Sequence, residues 1–84
     1  MIKVSADVLP GSSIEVRWTS EKTVDFTVRL MRGPTEIGSK RIPAVGSQNI
    51  PPVARFDGLE RDHRYVVIVE APDGEQGLVN VTAN

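Results

Sequence analysis

The sequence predicts an all-β protein, a two-sheet antiparallel β-sandwich of about seven strands. Three observations predict it. Apolar residues recur at every second position in run after run, which is the period of a half-buried strand. Turn-forming pairs punctuate the runs: Pro10-Gly11, Gly33-Pro34, Gly46-Ser47, Asp57-Gly58 and Asp73-Gly74. No window sustains a capped i, i+3, i+4, i+7 pattern, and six prolines and seven glycines work against long helices.

Taken in order, "IKVSADV" sets Ile2, Val4, Ala6 and Val8 on one face. "SIEVRWT" alternates Ile14, Val16 and Trp18 with Glu15 and Arg17. "VDFTVRLM" alternates Val24, Phe26, Val28 and Leu30 with Asp25, Thr27 and Arg29. The middle of the chain holds three prolines between Thr35 and Phe56. Proline cannot donate to a ladder, so this region reads as edge and loop: a short edge strand over 36–42, a loop, then a strand over 53–56. Lys40 and Arg41 on that edge oppose unwanted strand pairing. "YVVIVEA" sets Tyr65, Val67, Val69 and Ala71 on one face and Val66 and Ile68 on the other, which predicts a central strand covered on both sides. Asp73-Gly74 is a hairpin dipeptide, and "LVNVTA" closes the set.

The 84 residues make one domain. With 39% hydrophobic and 25% charged residues, the chain has the balance of a globular protein rather than a disordered one. Ten basic and eleven acidic residues are interleaved, without the basic stripe of a nucleic-acid binder. The absence of cysteine removes disulfides, zinc–thiolate sites and thiol nucleophiles. No apolar run approaches the roughly 20 residues of a membrane-spanning helix. "MIKVSADVLPG" lacks the apolar core of about 7–15 residues found in a signal peptide. Met1 fits either an intact small protein or an excised domain.

"SIEVRW" resembles the second strand of a fibronectin type III domain, with Trp18 as its inward tryptophan. "FDGLERDHRYVVIVEA" resembles that family's E–F corner, with Phe56, Leu59, Tyr65, Val67, Val69 and Ala71 filling the pattern. The resemblance spans nearly the whole chain, and it departs from the family at three places. Arg61-Asp62-His63 stands where the family often has Pro-Gly-Thr, Phe26 stands where a tyrosine is common, and the middle segment matches poorly. The resemblance implies an immunoglobulin-like sandwich. It also gives Tyr65 the role of a tyrosine corner, its ring in the core and its hydroxyl bonded to backbone a few residues upstream. Trp18, Phe26, Leu59 and Tyr65 are then structural residues, and Glu60, Arg61, Asp62, His63 and Arg64 form a solvated turn.

The chemical candidates are few. His63 between Asp62 and Arg64 could serve as a general base, but a base also needs a nucleophile or substrate within reach and an enclosed site. Asp62 and His63 lack the further ligands of a metal site. "DVLPGSSIE" and "DGEQG" do not match a calcium loop, and the glycines lack phosphate-loop spacing. No serine sits in a nucleophile elbow. "RGP" at Arg32, Gly33 and Pro34 reads as a turn. The phase of Trp18 matches Ile14 and Val16, so it reads as core and not as a sugar platform. No enzyme activity and no cofactor are expected.

One surface stands out. Val66 and Ile68 point outward, and Thr27, Arg29 and Met31 point the same way on a neighbouring strand. An apolar patch rimmed by charge is a common protein contact, against the plain alternative of ordinary cross-strand packing. The expected function is a non-catalytic protein-interaction or structural module that binds a protein partner or self-assembles, with no nucleic acid and no membrane insertion. A subunit of a virion, as a decoration protein, or of a bacterial surface assembly fits, placing it on a virion surface or outside the cell. One alternative is an accessory or spacer domain from a secreted carbohydrate-active or adhesive protein. Another is a small protease inhibitor presenting the loop at residues 46–52. Fold does not choose among these.

Overall fold

A computed structural model describes residues 2–19, 24–43 and 53–83. Among them are seven strands and no helix: β1 (Lys3–Leu9), β2 (Ser13–Thr19), β3 (Phe26–Arg32), β4 (Thr35–Ile42), β5 (Val53–Phe56), β6 (Arg64–Glu70) and β7 (Gln76–Thr82). They form two antiparallel sheets, one ordered β1-β2-β5 and the other β4-β3-β6-β7. The chain is an all-β sandwich. β4 and β5, consecutive in the chain, belong to different sheets. The Gly46-Ser47 turn and the loop at 46–52 lie outside the described residues.

The core follows from the period of two. Ile14, Val16 and Trp18 of β2 meet Phe26, Val28 and Leu30 of β3 and Tyr65, Val67 and Val69 of β6, all buried. Trp18 is 1% exposed and meets Phe26 edge to face, with ring centroids 5.8 Å apart, the arrangement that aromatic quadrupoles favour. Its indole Nε1 is buried with no hydrogen-bond partner among the described residues.

Turn chemistry sets the hairpins. Arg32 pairs with Thr35, leaving Gly33-Pro34 as a two-residue turn. Gly33 takes φ +58° at the first central position, as a type II′ turn requires. The β6–β7 connection is longer than a dipeptide. Ala71 donates to Glu75 at 2.8 Å and Gly74 donates back to Ala71 at 3.0 Å, so Pro72, Asp73 and Gly74 form a three-residue loop.

Two expectations need correction, and a third gains detail. Val8 shares the phase of Ile2, Val4 and Ala6 yet remains 40% exposed. It lies near the hairpin end of β1, an edge strand that among the described residues is hydrogen-bonded to β2 alone. β6 is central, between β3 and β7, but among the described residues no third layer covers Val66 and Ile68, which are half-buried. Lys40 does more than repel neighbours. It sits opposite Val28, passes 5.3 Å from the Phe56 ring centroid and donates to the Arg55 carbonyl. An inward-turned charge thus occupies a main-chain acceptor of β5, one of the ways a sheet edge is blunted.

Candidate functional site

The β5–β6 corner brings the chain's only His and only Tyr together. Tyr65 is 2% exposed, and its hydroxyl accepts the Glu60 N–H at 2.8 Å. Leu59 packs against the core while its N–H donates to the Ser12 carbonyl at 3.0 Å. Asp62 turns the chain with φ +64°, a left-handed geometry that Asp tolerates better than most residues. The corner is laced to the end of β7: Asp62 donates to the Ala83 carbonyl at 2.9 Å, and Ala83 donates to the His63 carbonyl at 3.0 Å. At its start, the Ser13 hydroxyl donates to Asp57 at 2.7 Å. That bond, with Arg55 beside it, holds the Asp57 carboxyl below the usual range.

The charged residues of this turn are not all solvated. His63 is half-buried, and both ring nitrogens are engaged. Arg32 of β3 meets Nδ1, while Nε2 lies 3.1 Å from Glu60. A guanidinium can only donate, so this contact uses Nδ1 as an acceptor, and the neutral ring then presents its Nε2 N–H to Glu60. Arg32 also reaches Glu60 directly, at 3.0 Å. The sequence interval between Arg32 and His63 hid this cluster. Among the described residues, no group of three or more His, Asp or Glu side chains is placed to hold a metal ion. Because the cluster is 40–60% exposed, His63→Ala is expected to change stability by less than about 0.5 kcal/mol in a urea titration. It should leave partner binding unchanged.

The outward face of the larger sheet is the other candidate. Met31 pairs with Val66 and Arg29 with Ile68 across β3 and β6, and Thr27 pairs with Glu70. Thr27, Arg29, Met31, Val66 and Ile68 thus lie side by side on one face. The strip continues onto β7, where Leu78 pairs with Ile68 and is 61% exposed. No other described large hydrophobic residue is as exposed. Sequence reasoning missed Leu78, although its alternation with the inward Val79 and Val81 carried the signal.

The strip is not uniformly apolar. Arg29 pairs with Glu36 at 3.4 Å and with Glu70 at 3.1 Å, stretching a three-charge chain across the face. A β-bulge between Leu30 and Met31 shifts the β4 register and sets Glu36 opposite Met31. Such exposed pairs contribute little stability, about 0–1 kcal/mol each, but they fix where charge sits around the apolar residues. No protein-family model matches the chain, and no curated protein matches it. The geometry of this face therefore carries the functional argument.

Proposed function

We propose that the chain is a non-catalytic module of the fibronectin type III kind that docks a protein through the outward face of the β4-β3-β6-β7 sheet. The strand order supports the family reading, as do the Glu60–Tyr65 hydrogen bond and the Trp18–Phe26 contact. The observation that carries the function is the contiguous strip Met31, Val66, Ile68 and Leu78, crossed by the Glu36–Arg29–Glu70 chain. An apolar centre with a charged surround is the anatomy of a protein interface. The partner it fits offers its own apolar residues flanked by both signs of charge. A building block of a virion or bacterial surface assembly is a setting in which such a module would act.

Ile68 is the test position, because it lies at the centre of the strip and points away from the core. Ile68→Glu is expected to fold normally by circular dichroism. It should weaken partner association by at least about 2 kcal/mol in calorimetry, the scale of an interface hot spot. Unchanged association with an intact fold would move the contact elsewhere and favour a spacer role.

A further inference from the structure

A sandwich has four edge strands, and here three of them are blunted. β4 carries Glu36, Lys40 and Arg41 and holds the bulge, with Ile37 left unpaired in the ladder. β5 has four residues, and Lys40 occupies the Arg55 carbonyl. β1 carries Lys3 and Asp7. β7 reads QGLVNVT, seven residues with no charge, no proline and no bulge. Charge, proline, bulges and shortness are the devices that keep a free edge from pairing, and β7 has none of them.

The main-chain groups of this edge can be assigned. Ala83 donates to His63, and Ala71 donates to Glu75. Both lie on the register that pairs Tyr65 with Val81 and Val69 with Gly77. Hydrogen-bonded and non-bonded pairs alternate along an antiparallel ladder. Gly77, Val79 and Val81 therefore bond to β6, while Gln76, Leu78, Asn80 and Thr82 turn their N–H and C=O groups toward the open side. No strand pairs with that side among the described residues.

We propose that β7 is a self-association edge, where a second copy adds its own β7 antiparallel across a two-fold axis at Val79. This goes beyond the face reading, because it rests on main-chain groups of the edge. The strand is self-complementary in that register. Gln76 would pair with Thr82 of the second copy and Leu78 with its Asn80, so all four outward-turned residues are bonded. No like charges meet, since the strand has none. The two Leu78 side chains become diagonal neighbours, within contact range for side chains of that size. The row through Glu70 and Gln76 continues into Thr82 and Arg64 of the second copy, setting opposite charges at its two ends. One strand edge buries less than the roughly 1,600 Å² of a standard stable interface. The dimer is therefore weak and concentration-dependent.

The test is sedimentation of the isolated chain from micromolar to millimolar concentration, with amide exchange followed by NMR. Dimerisation is expected at the upper end, with exchange at Leu78 and Asn80 slowed several-fold. Asn80→Pro removes one edge-facing N–H and no bond to β6, so it should weaken the dimer at least tenfold while circular dichroism and thermal unfolding report the fold. If that variant does not fold, concentration-dependent protection at Leu78 and Asn80 in the unaltered chain decides. A monomer throughout the range overturns the proposal, as does a dimer that a folded Asn80→Pro leaves unchanged, or protection confined to another strand. The face reading stands separately on Ile68→Glu, which leaves the edge amides in place.

Discussion

Gly77→Ala is expected to lower stability by about 2–3 kcal/mol, near the upper end of what overpacking a core costs. Gly77 lies on β7 opposite Val69, on the inward side of the strand. A methyl group built there would stand 2.7 Å from the Ile2 carbonyl oxygen, 2.8 Å from Val4 Cγ2 and 3.1 Å from Ile2 Cγ2. The nearest atom is backbone, so no rotamer change relieves the clash. β1 would have to move away from β7, uncovering Ile2, which is 5% exposed. Gly38→Ala is the control. Its methyl would meet the Phe56 ring at 3.5 Å, an ordinary contact, and should change stability by less than about 1 kcal/mol. Urea titration of both variants checks the contrast. Equal stability of the two would mean that β1 does not press on β7 at Gly77.

Tyr65→Phe is expected to cost about 1–3 kcal/mol, the penalty for stranding a desolvated hydrogen-bonding group. The ring is retained, so the packing against the core is unchanged. What disappears is the acceptor for the Glu60 N–H, 2.8 Å away. That bond holds the turn from which Asp62 and His63 tie to Ala83, so its loss should also speed amide exchange at Asp62 and Ala83. A change within about 0.3 kcal/mol in denaturant titration would mean that water satisfies Glu60 as well as the phenol does.

Much of the frame was legible. β2 and β5 fall on the residues that alternation assigns them, and the other strands differ by one or two positions at their ends. Such ends are where pairing competes with turn geometry. The interval from Leu59 to Tyr65 carried the corner because its partners lie within a few residues: the hydroxyl of Tyr65 reaches Glu60. That Thr27, Arg29 and Met31 share an outward face with Val66 and Ile68 was legible, because both strands declare their outward residues by phase; which residue stands beside which was not. Leu78 joins that face only through the pairing of β7 with β6, which places it beside Ile68.

The sequence by itself determined the class and the facing of side chains. A period of two needs only the pleat of an extended chain, so each run announces which residues are buried without naming its neighbour. Neighbours were decided by the tertiary structure. Only there do β4 and β5, close in sequence, fall into different sheets, and only there does the bulge at Leu30/Met31 set Glu36 beside Met31. Only there does Arg32 reach His63, 31 residues away. The bare edge of β7 is likewise a tertiary fact. QGLVNVT would read as an ordinary inner strand until the order β4-β3-β6-β7 leaves it outermost. Strand order depends on how the two sheets close over one core, a long-range balance of burial that no local period encodes.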